Sequence, residues 1–126
     1  MQNGHTITVD AGTYIENVDV YKSLTIRSTS GNPEDTIIQA LDSNDHVFEG
    51  TADYVTISGF TVTGATGAEK AGIYLYGTDH SVVSNNNISY NSNGVYVSDL
   101  WYCDITNCYI SHNLHAGAKV GERHFY

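Results

Sequence analysis

This chain contains an internal repeat, which limits the folds that it can adopt. The segment Gly72–Leu75 (GIYL) recurs as Gly94–Val97 (GVYV), and Ile88–Asn91 (ISYN) recurs as Ile110–Asn113 (ISHN), both at the same offset along the chain. A further copy begins at Gly117 after one inserted residue. A unit this short cannot bury an apolar face alone, so each copy must stack on its neighbours. The repeat therefore predicts a solenoid.

Each repeat contains short segments of three to five residues in which apolar and polar side chains alternate, the pattern of half-buried strands. Val and Ile together number 21 against 5 Leu, a composition that favours strands over helices. Strands that recur in one direction once per turn form parallel sheets along a stack. We therefore predict an all-β fold, a right-handed parallel β-helix of about five short coils with a period near 22 residues. Residues 1–126 are expected to form a single domain, either whole or a section of a longer surface protein.

Weaker copies extend the pattern towards the N-terminus. Gly31-Asn-Pro33 indicates a projecting loop over residues 28–35, and residues 42–45 indicate another. The predicted early strands are Thr6–Val9, Val18–Val20, Leu24–Ile26, Thr36–Ala40 and His46–Phe48.

Alternation along the strands predicts which side chains face the core. The predicted inward residues are Ile7, Val9, Val18, Leu24, Ile26, Ile37, Val55, Ile57, Val62, Ile73, Leu75, Val83, Ile88, Val95, Val97, Ile105 and Ile110. Asn85 aligns with Asn107, and Asn91 with Asn113, next to bends. Because Asn tolerates left-handed backbone angles and its amide can bond to the next coil, we interpret these four residues as structural ladders.

The residues resemble a known group of proteins. The stretch Asp10–Val20 (DAGTYIENVDV) is similar to the first-coil motif of pectin-esterase-like and NosD-like β-helix proteins, and Gly72–Leu75 and Ile88–Asn91 resemble the NosD-type, carbohydrate-binding and sugar-hydrolase repeats of the pectin-lyase-like superfamily. Such repeats are abundant in surface proteins of archaea, particularly methanogens. The resemblance implies a β-helix and an extracellular or cell-surface location, and it is compatible with several functions.

Catalytic motifs of the enzymes in that superfamily do not carry over. His46–Gly50 lacks the leading Asp of the esterase motif, and Gln39–Leu41 lies too early in the chain. Neither of the two arginines, Arg27 and Arg123, is flanked by a group of carboxylates one repeat away in the sequence. Glycoside hydrolysis needs two carboxyl groups about 5 to 10 Å apart, and the well-aligned coils contain no acidic column. These observations favour a non-catalytic protein.

Charge and hydropathy exclude two classes of partner. The formal charge is −9 with a pI near 4.7, so a phosphate backbone would be repelled. No apolar run approaches the roughly 20 residues that span a bilayer, and residues 1–10 lack the features of a secretion signal. The chain is therefore either cytosolic or has a leader that lies outside this sequence, and we expect the second. Cys103 and Cys108 are too few for a disulfide scaffold and are interpreted as unpaired thiols.

Aromatic residues form the candidate binding surface. Tyr74 and Tyr96 occupy the same outward column, with Tyr76 two residues along and Trp101 and Tyr102 on the following turn. Exposed rings of this kind bind sugar faces through apolar contact and hydroxyl hydrogen bonds. The alternative is packing of the rings along a ladder without any ligand. Both interpretations stay open at this point.

Two metal sites are weaker candidates. Asp42, Asp45, Glu49 and Asp53 form an acidic run whose oxygens could bind Ca²⁺, although a solvated loop is the favoured interpretation. NosD-like proteins are associated with copper insertion, but His112 aligns with Tyr90 rather than with another histidine. We therefore predict no required cofactor, with Ca²⁺ as the candidate ion.

The sequence leaves competing functions. The preferred one is a structural or carbohydrate-binding module of the cell surface, with polysaccharide or envelope components as partners. Uncapped sheet edges in such a stack would allow self-association through its open ends, since the tail 121–126 has no evident cap. The alternative is a fragment of a polysaccharide-acting lyase or hydrolase whose active coils are missing.

Overall fold

Residues 4–120 form a stack of short strands in the computed structural model, which describes that part of the chain; the tail predicted to lack a cap lies outside it. One turn of 3₁₀ helix, Pro33–Asp35, is the helical element among the described residues. The strands, in chain order, are β1 His5–Val9, β2 Gly12–Ile15, β3 Val18–Val20, β4 Leu24–Ser28, β5 Thr36–Gln39, β6 Phe48–Gly50, β7 Thr56–Ser58, β8 Thr61–Thr63, β9 Ala71–Tyr76, β10 Ser81–Ser84, β11 Asn87–Ser89, β12 Asn93–Ser98, β13 Cys103–Thr106, β14 Tyr109–Ser111 and β15 Ala116–Val120.

The strands form three parallel sheets of five strands each. Sheet A has the order β1-β4-β7-β10-β13, sheet B contains β2-β5-β8-β11-β14, and sheet C contains β3-β6-β9-β12-β15. One strand from each sheet makes one coil, so the described residues form five coils, and neighbouring strands are parallel throughout. The predicted all-β parallel β-helix is confirmed.

The period is regular only in the last coils. Tyr74 pairs with Tyr96, one repeat further along the chain, whereas Thr25 pairs with Thr56 and Asp19 with Glu49, and both of these pairs are separated by distinctly longer segments. The longer early turns carry loops, including the one over residues 29–35, where the Asn32 side chain accepts a hydrogen bond from the Glu34 N–H at 3.0 Å. The average period is therefore about 24 residues rather than 22.

The core lies inside the three sheets and is built of residues stacked like on like. Ile26, Ile57 and Val83 follow one another in sheet A, and the last two are fully buried. At about 25 cal/mol per Å² of apolar surface removed from water, such columns are the main source of stability.

One prediction about the core is wrong, and one predicted core residue is more exposed than the rest of its column. Ile37 faces outward, half-buried, and its neighbour Ile38 enters the core, where it pairs with Val62. Ile105 is 36% exposed although its register partner Val83 is fully buried. The reason is its position: Ile105 belongs to the last described coil, so no following coil among the described residues covers it.

The asparagines occupy two different settings. Asn85 and Asn107 have φ of 54° and 52°, in the left-handed region that Asn tolerates, and both are exposed at a bend. Asn91 is buried instead, and its backbone N–H donates to Asn113 Oδ1 at 3.0 Å, while its side chain donates to the Val62 carbonyl at 3.2 Å. The left-handed residues of that second bend are Tyr90 and His112, each preceding the Asn.

Asn86 is a further internal asparagine, one that the repeat alignment does not single out. It is buried, its Oδ1 accepts from the Phe60 N–H at 3.0 Å, and its Nδ2 donates to the Ile57 carbonyl at 3.0 Å. Buried backbone groups at a bend need such partners. Asn86 thus links its own coil to the preceding coil by hydrogen bonds.

Candidate functional site

The outer face of sheet C carries one continuous column of charged and aromatic side chains. Its members, in order along the stack, are Asp19, Glu49, Tyr74, Tyr96 and Lys119, each paired in register with the next. Adjacent strands lie about 4.8 Å apart, so side chains that share a column are in contact distance. We call these five residues the sheet C column. The column begins with two carboxylates, continues with two aromatic rings and ends with an amine.

His46 extends the aromatic part of the column. Its ring stacks on Tyr74 with centroids 4.3 Å apart, and its Nδ1 accepts a hydrogen bond from the Ala71 N–H at 2.9 Å. That bond requires an unprotonated Nδ1. Burial, aided by the charge of Lys70, lowers the pKa of His46, so the imidazole is neutral at pH 7.

Lys119, at the far end of the column, forms an ion pair. Lys119 Nζ donates to Glu69 Oε1 at 2.8 Å and lies 5.0 Å from the centre of the Tyr96 ring. The hydrogen bond raises the pKa of Lys119 and lowers the pKa of Glu69. Tyr96 and Tyr74 have ring centroids 5.0 Å apart. The faces of these two tyrosines are therefore largely covered by neighbours within the protein.

A second group of rings lies at the corner between sheets C and A. Tyr54 stacks on His80 and His80 on Tyr102, with centroids 5.3 and 5.2 Å apart. Trp101 precedes Tyr102 in the turn. We call Tyr54, His80, Trp101 and Tyr102 the aromatic corner. Tyr54, Trp101 and Tyr102 are all exposed.

Carboxylates surround the aromatic corner. Asp104 accepts a hydrogen bond from the Tyr102 hydroxyl at 3.0 Å, which raises the pKa of that phenol. Asp53 accepts from the Asp79 N–H at 2.9 Å, and Asp79 Oδ1 lies 2.9 Å from His80 Nδ1, an ion pair when that imidazole is protonated. Exposed rings beside carboxylate acceptors present both an apolar face and partners for hydroxyl groups.

The structure thus divides the five aromatic residues that the sequence proposed. Tyr74 and Tyr96 lie in the packed sheet C column, and Tyr76 stacks on Tyr74 with ring centroids 6.2 Å apart. Trp101 and Tyr102 lie in the exposed aromatic corner. Sequence reasoning missed Tyr54 and His80. The sequence did contain a signal that His80 lies next to Tyr102, because the spacing between these two residues equals the offset of the repeat.

The acidic run proposed for Ca²⁺ does not converge. Asp42 Oδ1 accepts from the Asn44 N–H and Asp45 Oδ1 from the His46 N–H, at 2.9 and 2.8 Å, so both carboxylates stabilise their own turn. Asn17 holds that turn from one coil away, accepting from the Asp42 N–H at 2.8 Å. Within residues 4–120, no three His, Cys, Asp or Glu side chains are grouped so as to hold a metal ion.

Glu49 lies instead beside Asp19, a carboxylate pair that an alignment at a fixed period cannot show. Burial raises the pKa of Glu49, and Asp19 and Asp45 add to this shift. Two carboxyl groups at one strand spacing approach the separation used by retaining glycosidases. Asp19 and Glu49 are therefore the candidate residues for the enzymatic alternative.

Cavities lie at both ends of the stack. One of about 340 Å³ is lined by Val97, Leu100, Trp101, Ile105 and Val120 among others, at the last coil. Another of about 290 Å³ is lined by residues of the first coils. No helix in the described part of the chain has the length and apolar character needed to cross a bilayer.

Parallel coils, stacked core columns and internal asparagines define a β-helix protein, and the sequence comparison gives its family. The family described as right handed beta helix region matches residues 3–124, and the chain belongs to it. The predicted membership of a right-handed β-helix repeat family is thereby confirmed.

The chain is also similar to part of one curated protein. A cell surface glycoprotein of the archaeon Methanothermus fervidus is 35% identical over 86 residues, which make up 68% of this chain and 13% of the relative. The chain therefore matches a small part of that protein's length. No solved structure matches the chain significantly.

Proposed function

We propose that this chain is a β-helix module of a cell-surface protein and that its aromatic corner binds carbohydrate. The likeness to part of a cell surface glycoprotein supports the location. The observation that carries the binding proposal is the set of exposed rings at one corner, held in place by the stacked column Tyr54–His80–Tyr102. A preorganised, solvent-exposed ring loses little conformational entropy when it binds a sugar face.

The ligand class follows from the charges around the rings. Asp53, Asp79 and Asp104 lie at the corner, and the whole chain carries a formal charge of −9. Carboxylates accept hydrogen bonds from sugar hydroxyls but repel other carboxylates. The corner is therefore suited to neutral glycans and unsuited to polyuronides.

Affinity gel electrophoresis tests this proposal. Neutral polysaccharides such as mannan and β-glucan are cast into native gels, with polygalacturonate as the anionic comparison. We expect at least one neutral polysaccharide to retard the protein, and Trp101→Ala and Tyr102→Ala each to reduce that retardation. Polygalacturonate is expected to have no effect.

Tyr90→Ala is the matched control. Tyr90 is also exposed and also stacks on a histidine, His112, with centroids 5.4 Å apart, but it lies at the bend after sheet B. Its substitution should leave retardation unchanged. Retardation by none of the neutral polysaccharides, or equal loss in all three variants, would overturn the binding proposal.

The location is tested separately. Intact cells of the source organism are treated with protease, and the protein is followed with an antibody against residues 4–120. We expect the signal to disappear before that of a cytosolic marker. Loss of the signal only after lysis would contradict the surface location without bearing on sugar binding.

The carboxylate pair favours one second candidate, glycoside hydrolysis at Asp19 and Glu49. Its test is release of reducing sugar from the polysaccharides that retard the protein. Activity abolished by Glu49→Gln but unaffected by Glu69→Gln would establish it. Absence of release under these conditions would leave binding as the function.

A further inference from the structure

One motif of the sequence lies outside the site described above. The triplet Asn87-Ile88-Ser89 has the form Asn-x-Ser, the acceptor signal for N-linked glycosylation. None of the other asparagines in the chain has Ser or Thr two positions later. The signal consists of an amide and a hydroxyl group, so its use depends on where the fold places both side chains.

The triplet forms strand β11 of sheet B. Ile88 is fully buried, whereas Asn87 and Ser89 on either side of it are partly exposed. Because side chains alternate along a strand, the amide and the hydroxyl both lie on the outer face of the sheet. Strand β11 is paired with β8 on one side and with β14 on the other. The exposure of the triplet therefore does not depend on where the described residues begin or end.

Asn87 also differs from the neighbouring asparagines in its hydrogen bonds. Asn86 and Asn91 are buried, and their Nδ2 atoms donate to the carbonyls of Ile57 and Val62 in the preceding coil. The side-chain amide of Asn87 makes no hydrogen bond within residues 4–120. A sugar attached to Asn86 or Asn91 would break buried hydrogen bonds. A sugar attached to Asn87 breaks none and leaves the core unchanged.

The surroundings of Asn87 are uncharged and lie away from the candidate binding site. Its register neighbours in sheet B are Thr61 and Tyr109. The Thr61 hydroxyl donates to the Pro33 carbonyl at 2.7 Å, so it is already engaged with the loop over residues 29–35. The aromatic corner lies between sheets C and A, and sheet B is the remaining side of the coil. A glycan on Asn87 would therefore leave the aromatic corner open.

We propose that Asn87 carries an N-linked glycan. The proposal rests on the cell-surface location proposed above, since asparagine is glycosylated on chains that are exported across a membrane. The donor is an oligosaccharide linked to a lipid phosphate. Asn87 Nδ2 forms a bond to the anomeric carbon and releases a proton, and the bond from that carbon to the phosphate oxygen breaks, so the lipid phosphate leaves. The bulky, hydrated product keeps the outer face of sheet B in solvent.

Mass spectrometry of the protein purified from cells of the source organism tests the proposal. We expect the peptide that contains Asn87 to carry an added oligosaccharide mass, with fragment ions that retain the first sugar on Asn87. Asn87→Gln and Ser89→Ala, each produced in the same cells, should lower the glycosylated fraction of this peptide about tenfold or more, because the signal requires both groups. Ser89→Thr keeps a hydroxyl and should keep the glycan.

Ser111→Ala is the matched control. Ser111 pairs with Ser89 in sheet B, but the residue two positions before it is Tyr109 rather than asparagine. Its substitution should leave the glycosylated fraction unchanged. An unmodified Asn87 in the wild type, or a glycan that persists in Ser89→Ala, would overturn the proposal. The protease experiment on intact cells reports the location separately, so an unmodified protein at the surface would contradict glycosylation alone.

Discussion

The side-chain amide of Asn86 binds the backbone of Phe60 across one coil: Oδ1 accepts from the Phe60 N–H at 3.0 Å, in a fully buried setting. Nδ2 of the same amide donates to the Ile57 carbonyl. One side chain therefore satisfies two buried backbone groups of the preceding coil. Internal amides of this kind give the backbone at a tight bend its hydrogen-bond partners, so that no polar backbone group there is buried unpaired.

Asn86→Ala should consequently be among the more destabilising substitutions. It leaves a buried N–H and a buried carbonyl without partners, at a cost of about 2 kcal/mol or more. Urea unfolding followed by circular dichroism gives the free energy of unfolding. Asn107→Gly is the control, since Asn107 is exposed with φ of 52° and glycine adopts that angle freely. Equal stability of Asn86→Ala and wild type would contradict the role assigned to Asn86.

Asn93→Ala should have the opposite effect. Asn93 is buried, and within residues 4–120 neither its Nδ2 nor its Oδ1 has a hydrogen-bond partner. Its two register neighbours in sheet C are Ala71 and Ala116, so alanine fits this column. Removing an unsatisfied buried amide should raise the free energy of unfolding by about 1 kcal/mol. The same urea measurement applies, and a loss of stability would show that the amide has a partner.

Acid should destabilise the protein through His46. Because burial lowers its folded-state pKa, the unfolded chain binds the proton more readily, and stability is lost as pH falls below the ordinary value near 6.5. His46→Asn keeps an acceptor for the Ala71 N–H and does not titrate. Between pH 7.5 and 5.5 the melting temperature of the wild type should therefore fall more steeply than that of the variant. Parallel slopes would refute this assignment.

Cys103 should react slowly with alkylating agents. Burial raises the pKa of its thiol to about 11 from 9.0, and the nearby charge of Asp104 adds to the shift. At pH 8 this reduces the thiolate fraction about 100-fold. The rate of iodoacetamide labelling in a Cys108→Ser variant, read by mass spectrometry, should be lower by a factor of that order than for a model thiol. Labelling at the model rate would show that Cys103 is accessible and ionised.

Close packing by neighbouring atoms makes Gly72 costly to replace. A Cβ there would lie 2.7 Å from Asn91 Nδ2 and 2.9 Å from Ile88 Cγ2, distances that real side chains do not adopt. Gly72→Ala should cost about 2 kcal/mol. Gly117 occupies the corresponding place in the last coil, where the nearest atom would be Ile110 Cγ2 at 3.4 Å. Gly117→Ala should cost far less, and similar losses in both variants would contradict the packing described.

Repetition explains which parts of the fold could be predicted from sequence. Tyr74 and Tyr96 share a column because the repeat is regular there, and alternation then assigns their neighbours. Where two apolar residues are adjacent, as at Ile37 and Ile38, alternation cannot decide which one faces inward. Register with Val62 decides it in the structure.

The site was harder to predict because it depends on turns of variable length. Asp19 and Glu49 are neighbours although the segment between them is longer than one repeat, since loops lengthen the early coils, and no fixed period brings them together. Tyr54 joins the aromatic corner for a similar reason, because the coil between it and His80 is also longer than the repeat of the last coils. The division of the rings into a packed column and an exposed corner depends on side-chain contacts between coils, which alternation does not specify.

Binding of neutral glycan at the aromatic corner of the β-helix can be observed residue by residue in an NMR titration. A ¹⁵N-labelled sample is titrated with a neutral oligosaccharide derived from the polysaccharide that retards the protein most. We expect saturable shifts of the Trp101 indole N–H and of the backbone amides of His80 and Tyr102, with sheet B unaffected. Shifts that centre on sheet B, or no saturable shift at the corner, would contradict it.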